Sequence, residues 1–242
     1  MGRQYIEPMR LSTLALPRLP GECEVCRQWS AAALCPACVA RFAAPRPRCA
    51  CCGIGLGLAA PRCGDCLRDG PPFEHTVCVA DYGFPWDALI GAFKFQGRAE
   101  LAGLLATQLL AAVHVAARPT PQLVLAVPLS PRRLTERGYN QAWELARRVA
   151  AALRLPADAQ LLQRPLETAH QAELTRSERQ RNLRTAFMAD PRRRSELQGR
   201  RVALVDDVMT TGATAREAAT VLLRAGAAAV DLWVLARTPQ SV

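Results

Sequence analysis

The chain has 242 residues, with 31 basic side chains against 21 acidic ones for a formal charge of +10; half of the residues are apolar and 5% are aromatic. That apolar share excludes disorder as the main state, the length suits one sizeable domain plus a small one, and the charge favours an anionic partner. The basic set is almost all Arg, with Lys94 the single lysine, and this lone lysine follows Phe93 with no Gly-rich loop before it, which excludes a Walker A nucleotide site.

The longest apolar stretch, residues 102–117, is broken by Thr107, Gln108 and His114 and falls short of the roughly 18 residues needed to cross a bilayer. The first twenty residues contain Glu7 and three prolines and lack a smooth apolar run, so they do not read as a signal peptide. A cytoplasmic protein with no membrane insertion is expected. In a reducing compartment, thiols are expected to hold metal in preference to forming disulfides.

Nine of the ten cysteines lie between Cys23 and Cys66. The expected organisation is an N-terminal extension (1–22), a double zinc ribbon (23–72) and an α/β domain (73–242). Four CxxC pairs stand in a row: Cys23/Cys26, Cys35/Cys38, Cys49/Cys52 and Cys63/Cys66. Two such turns supply the four sulfurs of a tetrahedral structural zinc site. Sequential pairing closes the shortest loops, giving one site from Cys23, Cys26, Cys35 and Cys38 and another from Cys49, Cys52, Cys63 and Cys66. Interleaved pairing stays open, and so does a ligand role for Cys51. Cys78 reads as buried core. A redox CxxC would need a single pair in a βαβ context, and this segment has neither.

From His75 on, strand-like and helix-like runs alternate. Residues 76–82, 123–127, 201–205 and 229–236 read as strands; 86–95, 99–117, 141–153 and 213–225 read as helices, the last closed by Gly226. This order predicts a parallel sheet flanked by helices, with ligands at the carboxyl ends of the strands. His114, on an apolar helix, reads as a packed residue. Lys94 and Arg98 frame Gly97 between two helices, where they suit either a solvated helix end or a phosphate contact. Residues 166–198 read as a polar, Arg-rich mobile loop. Between positions 128 and 201 there are 16 Arg against 8 acids. This segment suits a nucleic-acid backbone, with Tyr139, Trp143 and Phe187 available to stack bases, and it equally suits a solvated basic face.

The most informative stretch is Val202-Ala-Leu-Val-Asp-Asp-Val-Met-Thr-Thr-Gly-Ala-Thr214. A buried strand ends in Asp206 and Asp207, and the chain then passes through Thr210, Thr211, Gly212, Ala213 and Thr214 into a helix. Backbone N–H groups, hydroxyls and a helix amino end converge there, which suits a phosphate monoester. The carboxylates suit vicinal hydroxyls beside it. A phosphorylated sugar meets both demands, whereas an ordinary capped helix leaves the adjacent acids unexplained.

This stretch resembles the PRPP-binding motif of type I phosphoribosyltransferases. The CxxC pairs, Phe93-Lys-Phe-Gln-Gly-Arg98, Val127-Pro-Leu-Ser-Pro-Arg-Arg-Leu-Thr-Glu-Arg-Gly-Tyr-Asn-Gln141, Arg179-Gln-Arg-Asn-Leu-Arg184 and the PRPP motif follow the order of ComF family proteins, also called ComFC or GntX-like. The resemblance runs from about Cys23 to Pro239. It implies that Asp206 and Asp207 hold the ribose hydroxyls, that residues 210–214 hold the 5′-phosphate, and that Arg132, Arg133 and Arg137, in a loop over 128–138, meet the diphosphate. Mg²⁺ would accompany PRPP, and Asp206, Asp207 and Arg137 would be the catalytic set. The family's link to natural transformation implies single-stranded DNA as a partner, with Arg179, Arg181 and Arg184 as contacts, and competence or DNA-processing proteins as further partners. A phosphoribosyltransferase of nucleotide metabolism without a DNA role is the alternative. Tyr139 stands where the family usually has Phe, and Ala172-Glu173 where Ser-Gly is common.

Overall fold

The computed structural model describes residues 20–57, 60–164 and 186–239. Five strands form one parallel sheet: β3 (His75–Asp81), β4 (Leu123–Ala126), β5 (Ala157–Asp158), β8 (Arg201–Met209) and β9 (Ala229–Arg237), in the order β3-β9-β8-β4-β5. The helices between them are α3 (Trp86–Phe95), α4 (Leu101–Ala116), α5 (Pro131–Arg137), α6 (Gln141–Leu153) and α7 (Ala213–Arg224).

Alternation along the central strands sends successive residues to opposite faces. Ala203, Val205, Trp233 and Leu235 pack with Ile90, Phe93, Leu105, Leu109 and Leu145 of α3, α4 and α6. Val202, Leu204, Leu232 and Val234 pack on the other side with Ala215, Ala218 and Leu222 of α7. Both faces are covered, which is why these strands read as unbroken apolar runs in the sequence.

Three expectations change. Residues 186–198 are not a single loop: Phe187, Ala189 and Leu197 are buried in the second core, Phe187 just before β7 (Met188–Ala189), Ala189 on it and Leu197 on a 3₁₀ helix, Pro191–Leu197. Elements this short show no periodicity, so the polar residues around them dominate the reading. The segment 128–138 contains α5, capped by the Ser130 hydroxyl, which accepts from the Arg133 N–H, and closed by Gly138 at φ 76°. His114 is exposed, on the solvent side of α4. β7 pairs antiparallel with β6 (Leu162–Gln163), so the two segments flanking residues 165–185 meet at the sheet's side.

The cysteine-rich part comprises β1 (Gly21–Glu22), β2 (Trp29–Ser30), α1 (Pro36–Phe42) and α2 (Gly64–Arg68). Of its described side chains other than cysteine between 20 and 72, Leu34 and Ile54 are buried. Each contributes about 1.5–3 kcal/mol, against about 1–2 kcal/mol of lost backbone entropy for every residue ordered. Apolar burial therefore cannot order this segment. It is docked on edge strand β3: the Thr76 N–H donates to Ala50 O at 2.9 Å, and Arg48 pairs with Asp81 at 2.7 Å. Among the described residues no helix is long and apolar enough to cross a membrane.

Candidate functional site

β8 runs four residues further than its apolar part indicates, so Asp206 and Asp207 lie within the strand and not after it. Alternation gives them different neighbours. Asp207 is 6% exposed and takes Lys94 Nζ of α3 on its Oδ1 at 2.7 Å. Asp206 accepts the Asp207 N–H at 2.8 Å and lines a recess of about 30 Å³ with Thr210, Gly212, Ala213 and Thr214. Desolvation and then the Asp207 carboxylate push Asp206 up to about 7, opposed by that N–H and by the charges of Lys94 and Arg137. The sequence-predicted acids, Lys94 and Arg137 thus converge at the carboxyl end of the sheet. Lys94 meets a carboxylate there, where the sequence left a solvated helix end and a phosphate contact open.

After Met209 the chain turns through residues 210–212 into α7. Gly212 is the helix N-cap at φ 83°, and a Cβ there would lie 2.6 Å from Met209 Cε. The Thr211 hydroxyl accepts from the Ala213 N–H at 3.3 Å. The sequence reading missed the residue beneath this turn. Arg237, 5% exposed at the end of β9, donates to Thr210 O, to Met209 O at 3.3 Å, to Thr238 O at 2.8 Å and to Cys52 O at 3.2 Å. The signal available was a lone arginine closing an otherwise buried strand at the ligand end of a parallel sheet.

On the α5 side, Arg137 donates to Gln141 Oε1 at 3.0 Å and lies 5.0 Å over the Phe95 ring. Gln141 itself is buried, and its Nε2 has no partner. Arg132 pairs with Glu136 at 2.8 Å on an exposed face, and Arg133 is exposed beside it. Arg98 is engaged elsewhere: it forks onto both Glu24 oxygens at 2.9 and 3.0 Å and also meets Glu100 at 2.7 Å, tying the β1–β2 hairpin to the α3–α4 corner.

The eight CxxC cysteines form the two sequential groups. Cys23, Cys26, Cys35 and Cys38 bring their sulfurs within 4.8 Å of one another, and so do Cys49, Cys52, Cys63 and Cys66. In each group the first sulfur accepts an N–H from the third cysteine, Cys35 to Cys23 at 3.4 Å and Cys63 to Cys49 at 3.3 Å. Although burial raises Cys23 and Cys49, backbone N–H groups bring them down to about 6 and about 7. Four sulfurs at this spacing with N–H donors on them suit a tetrahedral Zn²⁺. Cys51 stands outside both groups, with its thiol towards Phe73 O. Cys78 is half-buried and lines an apolar groove of about 410 Å³ away from the acids.

Of the aromatic residues considered for base stacking, Phe187 is 2% exposed, the Tyr139 ring packs on Phe93 with its hydroxyl donating to Phe93 O, and Trp143 packs against the first core. Their faces serve packing against the two cores. Arg147 and Arg148 share Glu144, and Arg193 holds Asp158 and Glu196, so much of the basic excess is locally paired. Arg179, Arg181, Arg184, Ala172 and Glu173 lie outside the described residues.

Residues 140–242 match the model of the phosphoribosyl transferase domain. The DNA utilization protein YhgH of Salmonella typhi is 38% identical over 230 residues, 91% of this chain and 98% of that protein. Competence protein F of Haemophilus influenzae is 36% identical over 79% of this chain and 85% of its own length, and competence protein ComFC of Bacillus subtilis is 31% identical over 78% of each. With two four-cysteine groups ahead of a parallel sheet that ends in an Asp-Asp pair and a Thr-Thr-Gly turn, and with relatives matched over 78–98% of their own length, the chain belongs to the ComF family of phosphoribosyltransferase-domain proteins.

Proposed function

We propose that this chain binds PRPP at the β8–α7 turn and acts in the handling of single-stranded DNA during natural transformation. The observation that carries the PRPP part is the convergence of Asp206, Asp207, Lys94 and Arg137 beside a Gly212-capped helix amino end. Residues 210–214 take the 5′-phosphate, the two carboxylates take the ribose hydroxyls, and Arg132, Arg133 and Arg137 take the diphosphate. Carboxylate oxygens are the donor type that Mg²⁺ accepts, so Mg²⁺ fits with PRPP here. In turnover a nucleophilic acceptor forms a bond to the anomeric carbon as the bond to pyrophosphate breaks and pyrophosphate leaves with the electron pair; the carboxylates offset the positive charge on the ribose, and the arginines offset the leaving group. Each four-cysteine group holds one structural zinc. The DNA part is supported by the relatives' names, DNA utilization protein and competence protein, together with the basic excess between 128 and 201.

One preparation tests both parts: retention of labelled PRPP with pyrophosphate release, and retention of a single-stranded oligonucleotide across a salt series. PRPP is expected to bind, with loss in Asp206→Asn and Asp207→Asn. Oligonucleotide affinity is expected to fall with salt at about −0.7 per phosphate contacted, a slope flattened by Gln at Arg179, Arg181 and Arg184. No PRPP retention refutes the pocket. Pyrophosphate release with a free nucleobase and no DNA retention returns the alternative, an enzyme of nucleotide metabolism.

A further inference from the structure

Behind the β8–α7 turn, away from the acids, is a cavity of about 160 Å³ lined by Cys52, Cys63, Cys66, Thr211, Gly212, Arg216 and Arg237, among others. It separates the second cysteine group from the turn, and Arg237 bridges the two. The Arg237 guanidinium is buried, and each hydrogen bond it makes in the structure goes to a backbone carbonyl: Cys52 on one side, Met209 and Thr210 on the other, and Thr238 on its own strand. Met209 O also accepts the Thr238 N–H at 3.0 Å, and Arg216 of α7 reaches back to Gly70 O at 3.3 Å.

The consequence follows from peptide geometry. In a trans peptide the C=O and the following N–H point in opposite directions. Holding Met209 O and Thr210 O towards Arg237 therefore turns the N–H groups of Thr210 and Thr211 away from it, as an anion nest requires. Without the guanidinium, the Met209–Thr210 plane would still be held by the Thr238 N–H, but the Thr210–Thr211 plane could flip and offer its carbonyl to the incoming anion. A single buried cation thus fixes the sign of the surface above it, and it does so from a support point in the second cysteine group.

We propose that Arg237 is a positioning residue for the phosphate turn, and that it couples 5′-phosphate affinity to the integrity of the second four-cysteine group. This rests on the reading of the turn as a phosphate site. The substrate class it serves is the sugar 5-phosphate as such, independent of the diphosphate.

The test compares wild type, Arg237→Lys and Arg237→Gln by calorimetry with three probes: PRPP, ribose 5-phosphate and pyrophosphate. Both variants should lose tenfold or more in affinity for PRPP and for ribose 5-phosphate by a similar factor, Gln more than Lys, with pyrophosphate affinity unchanged. Metal content and thermal midpoint identify folded variants. As a measurement independent of any variant, hydrogen exchange in wild type should slow on adding ribose 5-phosphate, in residues 209–214 and also around residues 49–54 and 235–238. Wild type that binds neither PRPP nor ribose 5-phosphate overturns the phosphate reading itself. Wild type that binds both, with folded variants matching it or losing all three probes alike, overturns the role of Arg237. Protection confined to residues 209–214 overturns the coupling to the cysteine group.

Discussion

The turn after β8 and the segment after β4 leave neighbouring parallel strands at the same end of the sheet, yet they present positive charge in opposite ways. After β8 the chain offers backbone N–H groups, held by a buried arginine and a left-handed glycine. After β4 it offers long side chains on a short exposed helix, with Arg132 already paired to Glu136 and Arg137 resting on Gln141 and Phe95. Backbone donors cannot follow a moving ligand but lose little entropy on binding it. Flexible arginines reach further and lose more. On the proposed reading, a fixed 5′-phosphate anchor sits beside an adaptable grip for the diphosphate, the arrangement a displacement reaction needs, since the diphosphate must leave.

Four changes break or sharpen this contrast. The largest effect is expected at Lys94, which joins the two regions through α3. Lys94→Met leaves Asp207 buried without its cation and should cost on the order of 3 kcal/mol in urea unfolding, with most of the loss recovered when Asp207→Asn is added. An unaffected single variant would mean that the 2.7 Å pair contributes nothing. Next, Gly212→Ala forces an ordinary residue into φ 83° and its Cβ towards Met209 Cε, a mobile side-chain end that can swing away. The backbone cost remains, about 1–2 kcal/mol in stability, together with about a tenfold or greater loss of affinity for ribose 5-phosphate.

Gln at Arg132, Arg133 or Arg137 should act only on the diphosphate side. PRPP affinity should drop by roughly threefold to tenfold for each change, the size of one charge-assisted hydrogen bond at a solvated site, while ribose 5-phosphate is unaffected. Equal losses for both ligands would erase the distinction between the two regions. The fourth change concerns pH. Desolvation and Asp207 raise Asp206 to about 7, so between about pH 4 and pH 7 the folded chain keeps a proton that the unfolded chain has released. This group's contribution to stability therefore falls as pH rises through that window. Asp206→Asn should flatten that part of the unfolding profile; a wild-type profile that Asn leaves unchanged would remove Asp206 as its source.

How much of this was legible beforehand depended on where side-chain identity alone decides the structure. The helices Trp86–Phe95 and Gln141–Leu153 emerged with their observed bounds; in the second the apolar period and a cap coincide, Asn140 accepting the Trp143 N–H at its start. The cysteine grouping followed from loop length, and the β8–α7 turn from its residue types. What escaped was set by partners distant in sequence. Glu24 captures Arg98 across 74 positions, and Cys52 O meets Arg237 across 185. Phe187 looked available because it lies in an Arg-rich segment, although the second core takes it in. Periodicity reports on a residue's own element, and these three fates belong to other elements.

The most direct test of the phosphate-site reading is a calorimetric titration of the full chain with Mg²⁺ and PRPP. Saturable binding of one PRPP per chain, displaced by ribose 5-phosphate and abolished when Asn replaces both Asp206 and Asp207, is expected. Absence of binding, or binding of equal affinity in the doubly substituted protein, would contradict it.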